Sequence, residues 1–318
     1  MTAYIIRRIG QAIIVLILVT MLVFLAMRFL PGDPILIYMV QQDVQLLTPE
    51  TEAALRHEFG LDKSIPVQYF DWISGIFRGD FGTSIHYREP VIKLLADRLP
   101  VSLNLAIPAF LLAAFFGVSF GVLAGLRRGK KLDTVVTSIA NFGIAMPGFW
   151  LGILLIYLFG LYLGWLPVQG YTSPFDDLWL STRKLIMPVF VVATWGTAFF
   201  ARQTRSSILE VMCQDYIRTA SAKGLRERIV VIRHALKNAF IPVITVMGMV
   251  LIMMIAGQVI IENVFSIPGI GRLMLSAIFG QDYQVVQSCV LLIATIVVLV
   301  NLAVDISYGW LDPRIRYG

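Results

Sequence analysis

Charge is what this sequence holds least of. Only 14% of its 318 residues are Asp, Glu, Lys or Arg, against 58% hydrophobic, whereas a soluble domain carries about a quarter charged residues. With a mean hydropathy of +0.78, that scarcity makes a lipid bilayer a better solvent than water for most of the chain. Histidine is scarcer still. His57, His86 and His234 are scattered, so no cluster of imidazoles offers a metal site. The two cysteines, Cys213 in a basic loop and Cys289 in an apolar run, read as packing residues rather than as a disulfide or a zinc pair. A phosphate-cradling loop is also missing. It needs Gly-x4-Gly-Lys-Ser/Thr to present backbone amides to phosphate, and the nearest stretch, Gly129-Lys130-Lys131, lacks the upstream glycine and the hydroxyl. No ATP is expected to bind to this chain alone. The net charge of +6 is not a nucleic-acid signature, because the basic residues sit in short clusters beside apolar runs, which is how membrane topology is written.

What is present is a set of long uncharged runs. A spanning helix needs about 20 apolar residues, since a rise of about 1.5 Å per residue must cover about 30 Å of hydrocarbon. Six runs qualify or nearly so: 9–27, 101–126, 135–168, 185–201, 240–261 and 285–304. The expected fold class is an all-α membrane protein of about six transmembrane helices. The first run is longer than a secretory h-region and no small-x-small cleavage site follows it, so it is expected to be retained. The third exceeds one span but is too short for two with a turn, which predicts a single tilted or Pro147-kinked helix with an interfacial extension. The fourth is short, and Arg183 and Lys184 are expected to snorkel outward from it. Gly117, Gly121 and Gly125 repeat at four-residue spacing in the second run, which predicts close approach of another helix rather than a ligand role.

Basic residues set the orientation. Arg7 and Arg8, the 127–131 cluster, eight residues between Arg202 and Lys237, and Arg314 and Arg316 all fall on one side, against Arg183, Lys184 and Arg272 in the short loops of the other. Both termini are therefore expected in the cytoplasm of a bacterial or archaeal cell, with the chain multi-pass in its cytoplasmic (inner) membrane. The polar segment 31–100 holds ten acidic and six basic residues. It is expected outside as a small extracytoplasmic insertion after helix one, with a turn at Pro31-Gly-Asp-Pro34 and a helix starting near Thr48, where acids fill the first turn. The expected organisation is 1–100, an N-terminal transmembrane helix plus the extracytoplasmic segment, and 101–318, a five-helix core with a cytoplasmic loop at 202–238.

That loop is the informative one. Residues 206–222 are expected to form a helix stopped by Gly224, and 226–238 a second helix running into span five. A helix–glycine–helix unit facing the cytosol is a lever suited to receiving force from another protein. The triplet Arg218-Thr219-Ala220, then Ser221-Ala222-Lys223-Gly224, then His234-Ala-Leu236-Lys237 with Pro242 further on, is similar to the "EAA" loop of ABC importer permeases. The usual Glu is missing and the proline is delayed, as in the peptide/nickel branch of that family. The resemblance extends over nearly the whole chain: Ile6-Arg7-Arg8-Ile9, Pro31-Gly-Asp-Pro34, Gly79-Asp-Phe-Gly-Thr-Ser84, the 202–211 stretch, Phe265-Ser-Ile-Pro-Gly-Ile-Gly271, Asp282-Tyr283-Gln-Val-Val-Gln287 and Asp312-Pro-Arg-Ile-Arg316. The chain thus resembles the "B" permease of a dipeptide or oligopeptide transporter.

The resemblance implies a type I ABC importer permease fold and a non-catalytic permease subunit. The implied partners are a second homologous permease, two cytoplasmic ATPase subunits that carry ATP and Mg, an extracytoplasmic solute-binding protein, and membrane lipid. It implies no cofactor or metal in this chain. Asp215, Tyr216, Arg218, Thr219, Ala220, Lys223 and Gly224 would form the ATPase-coupling element. Met253, Met254 and Gln258 in span five and Asp305 in span six are candidates to line the pathway. Helix packing is the plainer reading for the methionines and helix-end packing for Asp305, as for Glu262. Dipeptides and oligopeptides are the favoured cargo, with nickel chelates, glutathione and opines as alternatives. An intramembrane enzyme would need paired carboxylates or a Ser/His set at depth, and no histidine falls within a span. A passive channel would not need a basic lever.

Overall fold

In hydrocarbon every backbone amide must find its partner within the chain, so a long apolar run becomes a helix. The computed structural model describes residues 2–29, 32–41, 49–256 and 258–311. Pro31, Arg314, Arg316 and the Asp312–Arg316 ending lie outside the described residues. The order of elements is α1 (Thr2–Phe29), α2 (Pro34–Gln41), α3 (Pro49–Glu58), α4 (Ile65–Phe77), α5 (Val91–Leu126), α6 (Lys131–Ala145) and α7 (Gly148–Leu155), which a π-helical stretch continues to Tyr162. There follow α8 (Leu178–Met212), α9 (Asp215–Ala222) and α10 (Glu227–Ile229), which runs through a second π-helical stretch, Val230–Leu236, into α11 (Lys237–Ala256). The last three are α12 (Val259–Val264), α13 (Ile270–Phe279) and α14 (Tyr283–Leu311). Among the described residues the only β pairing recorded is one bridge between Thr83 and Pro90.

Five helical segments are long and apolar enough to cross a membrane, or six if the bent pair α6 and α7 is one span. The third apolar run is thus not merely kinked: its two halves meet at 97°. Pro147 explains the break. It offers no N–H to the helix and pushes its predecessor out of the helical region, and Met146 is extended at φ −81°, ψ 123°. The second span begins at Val91 rather than Val101, and the fourth extends to 35 residues. Lys184 and Arg183 hold the chain just before α8, through the Thr172 hydroxyl at 2.8 Å and the Trp165 carbonyl at 2.7 Å. The expected helix over 206–222 is interrupted at Cys213 and Gln214. Gln214 is extended (ψ 148°) and its carbonyl accepts from the amides of Ile217 and Arg218, which restarts the helix as α9.

The chain forms two compact units. One comprises residues 2–102 and 268–298. Its core joins Phe24 of α1, Trp72 of α4, Leu94 and Leu95 of α5, Leu273 of α13 and Val285 and Cys289 of α14. Two sequence motifs far apart in the chain meet in it. The fully buried Asp282 carboxylate accepts from the Ser84 hydroxyl at 2.5 Å and from the His86 amide at 3.1 Å. In the same unit Arg56 pairs with Glu52 and Asp33, and those carboxylates raise its guanidinium pKa further.

The other unit comprises the described residues of 103–267 together with 299–311. Here α5 crosses α8 along the glycine row. A Cβ added at Gly117 would stand 2.6 Å from Phe200 Cβ, at Gly121 2.6 Å from the Ala201 carbonyl oxygen, and at Gly125 2.7 Å from Ile208 Cγ2. The missing side chains are what permit this approach. On another face of α8, Arg205 grips Asp133 of α6 with two nitrogens at 2.5 and 3.0 Å.

Candidate functional site

The elbow between α8 and α11 is built from alternating demands. In α9, Ile217 and Ala220 are three residues apart and so share one face. Both are buried, and they pack with Val230 and Ala235 of the second π-helical stretch, backed by Val211 and Met212 at the end of α8. The opposite face carries Asp215, Arg218 and Thr219, all exposed. Arg218 lies 3.5 Å from Asp215, one turn away. Tyr216 is 42% exposed, and its hydroxyl accepts from Asn238 Nδ2 at 2.9 Å, which ties α9 to the base of α11.

Lys223 ends the helix, and Gly224 turns the chain at φ +79°. That left-handed backbone is one glycine adopts without strain and proline cannot reach. A Cβ at Gly224 would meet nothing within 4 Å, so the demand for glycine here is conformational and not steric.

Of the seven candidate coupling residues, the structure therefore brings six to the surface of one short element and its turn, while Ala220 faces inward. Ala220 contributes to the elbow by packing beneath it. That distinction needs the helix phase, which the sequence marks only through Ile217, the one large aliphatic residue of α9.

The pathway candidates separate. Met254 is 3% exposed and packs with Ala113, Phe200 and Val250. Met253 is 45% exposed. Together with Gln258 they line a cavity of about 270 Å³. Asp305, half-buried in α14, is not among the residues that line it. Glu262 is fully buried in α12.

Sequence reasoning passed over Asp133, which is the structural partner of Arg205. Its signal was a lone acid at the edge of a basic cluster, directly before an apolar run. Asp133 also bears on nucleotide binding: the Gly129 amide donates to its carboxylate at 3.0 Å. The glycine of the nearest lysine-rich stretch thus serves an internal carboxylate.

Residues 117–317 match the family described as binding-protein-dependent transport system inner membrane component, and residues 1–106 match the family of its N-terminal portion. The chain is 43% identical over 320 residues to a putative peptide transport system permease protein of Brucella abortus (strain 2308), with all of both chains covered. It is 41% identical over 337 residues to the di/tripeptide transport system permease protein of Pseudomonas aeruginosa (strain UCBPP-PA14), covering all of this chain and 99% of the relative. To the dipeptide transport system permease protein of Escherichia coli (strain K12) it is 39% identical over 340 residues with the same coverage. In solved structures, its fold is similar to that of the inward-facing MetNI methionine ABC transporter, with a TM-score of 0.57 at 18% identity over 70% of this chain and 97% of that one.

Proposed function

The chain belongs to the family of binding-protein-dependent transport system inner membrane components, and from that premise we propose that it is a permease subunit of an ATP-driven importer that carries short peptides. The peptide-transport functions of relatives matched over 99% or more of their length support peptide as cargo. In this reading ATP and Mg bind on two separate cytoplasmic ATPase subunits, a second homologous permease completes the channel, and an extracytoplasmic solute-binding protein delivers cargo. Both termini face the cytoplasm, as the basic clusters favour.

The observation that carries the reading is the elbow. Its apolar face is packed against the stretch leading into α11, and its charged face is exposed. A displacement of α9 is therefore delivered to α11 and not lost in a loose loop. The ATPase must bind two permease conformations with different affinity, because a ligand indifferent to the two states shifts neither. Moving an equilibrium from 1:99 to 99:1 takes about 5.5 kcal/mol. Charge-assisted hydrogen bonds contribute about 1.5–3 kcal/mol each, so two or three contacts from groups such as Arg218 and Lys223 are of the right order. Gly224 supplies the bend, and Asp215, Tyr216 and Thr219 complete the docking face.

The test is a double charge reversal, Arg218→Glu with Lys223→Glu, in the transporter assembled with its ATPase and binding-protein partners in proteoliposomes. Both side chains are exposed, so insertion is expected to survive while ATP-driven peptide uptake falls at least about tenfold, the equivalent of one lost charge-assisted contact. Unchanged uptake and unchanged retention of the ATPase would remove the elbow from the mechanism.

A further inference from the structure

The short helix α4, in the segment expected to stand clear of the membrane, leaves large apolar side chains uncovered. Phe70 is 70% exposed and Phe77 87%, with Val67 at 45%. Exposed apolar patches of this kind mark contact with another protein or with a membrane. A helix turns about 100° per residue, which divides α4 into three faces. Tyr69, Trp72, Ile73 and Ile76 form the first and pack into the core of their unit beside Phe24 of α1. Val67, Phe70, Ser74 and Phe77 form the second, and all four are exposed. Asp71 and Gln68 lie on the third, about 100° and 160° round from Phe70. Asp71 pairs with Lys63 at 2.7 Å, and Gln68 accepts from Arg28 Nε at 2.9 Å and Nη2 at 2.6 Å.

Contacts with α1 fix the level of α4. The Tyr69 hydroxyl lies 3.1 Å from that of Thr20, and the Tyr69 and Trp72 rings stand 5.3 and 6.1 Å from the Phe24 ring. Thr20 and Phe24 belong to the apolar run that ends at Met27. At about 1.5 Å per residue, Thr20 is about 10 Å inside that end. Arg28, the first residue beyond the run, is the one that holds Gln68. The polar face of α4 therefore meets the end of α1, and its core face lies beside the last turns of a segment long and apolar enough to cross a membrane. An apolar face left open at that level has lipid beside it.

We propose that α4 is an interfacial helix embedded in the leaflet where α1 ends, the outer leaflet in the orientation proposed above. Phe70 and Phe77 enter the acyl chains, while Gln68 and Asp71 stay among the headgroups. This is how an amphipathic helix lies in an interface, here with a third face given to the protein core. Through Trp72 that core includes α5, α13 and α14, so lipid holds this whole unit at a set depth. The inference rests on α1 crossing the bilayer.

Spin labels measure the depth. Cys213→Ser leaves Cys289, which is fully buried, as the remaining thiol, and this background is the blank. Phe70→Cys, Phe77→Cys and Asp71→Cys are made in it singly, labelled, and returned with the partner subunits to vesicles of phosphatidylethanolamine and phosphatidylglycerol. Power saturation reads collisions with oxygen, which concentrates in hydrocarbon, and with a polar nickel chelate, which stays in water. The oxygen-to-nickel ratio at positions 70 and 77 is expected to exceed that at 71 at least about tenfold, because leaving water costs a polar solute more than the roughly 1.4 kcal/mol that this factor represents.

Nickel access at 70 and 77 equal to that at 71 would place the face in water and overturn the proposal. Low access to both reagents would show that protein covers it, a second permease or the binding protein, and would overturn it equally. Leu22→Cys, 71% exposed in α1, tests the premise separately. A label there without an oxygen preference would overturn α1 as a span, and the placement of α4 with it.

Discussion

Gly121→Ala tests whether the glycine row holds α5 against α8. The added Cβ would fall 2.6 Å from the Ala201 carbonyl oxygen and 2.6 Å from Thr204 Cβ, where ordinary contact begins at 3.4 Å. Relief needs the helices to part by about 0.8 Å, the difference between those two distances. Neither obstacle can swing aside. One is backbone, and the other is bonded directly to it. Parting at Gly121 also loosens the contacts of Gly117 and Gly125 in the same row, so the cost is expected in the upper part of the about 1–3 kcal/mol typical of overpacking. Gly10→Ala in α1 is the control, because a Cβ there meets nothing within 4 Å; it is expected to be neutral or stabilising by up to about 1 kcal/mol. The assay is reversible unfolding of the purified chain in mixed micelles titrated with sodium dodecyl sulfate. A Gly121→Ala midpoint within about 0.5 kcal/mol of the parent, the usual range of an inconsequential surface change, would refute the close-packing argument.

Three further outcomes are expected. Gly224→Ala places a side chain at φ +79° and should cost about 1–2 kcal/mol in the elbow, while Gly224→Pro cannot take that φ and should abolish uptake; ATPase retention and transport of the two variants read the difference. Asp133→Asn removes the carboxylate that Arg205 holds with two nitrogens, and because Arg205 remains 30% exposed the loss should be about 1–3 kcal/mol, below the figure for a fully buried pair, measured by the same micelle titration. Asp282→Asn keeps one acceptor oxygen for the Ser84 and His86 donors, weakens those bonds by removing the charge and turns its NH2 toward the Val285 amide, and should cost about 1–3 kcal/mol; proteolysis of the 49–102 segment should quicken.

Much of this protein was legible in its sequence, because the bilayer imposes a local rule. An uncharged run of sufficient length must be helical wherever its neighbours lie, so the six runs anticipated the spanning segments, and the four-residue glycine spacing anticipated the α5–α8 crossing without naming α8. The stop at Gly224 was also local, since the residue type carries the backbone requirement. Other features depend on which residues meet. Ala220 turns inward only because α9 packs on the second π-helical stretch. Asp133 and Arg205, and likewise Ser84 and Asp282, lie far apart in the chain, and no periodicity links them. Pro147 announced a bend but not its 97°, which packing against α8 decides. Gln258 read as one polar residue in an apolar span; only the folded structure shows that it is buried without a partner among the described residues. Hydrophobicity acts residue by residue and survives in a one-dimensional string, whereas satisfaction of a buried polar atom is a property of a pair, and pairs exist only once the chain has folded.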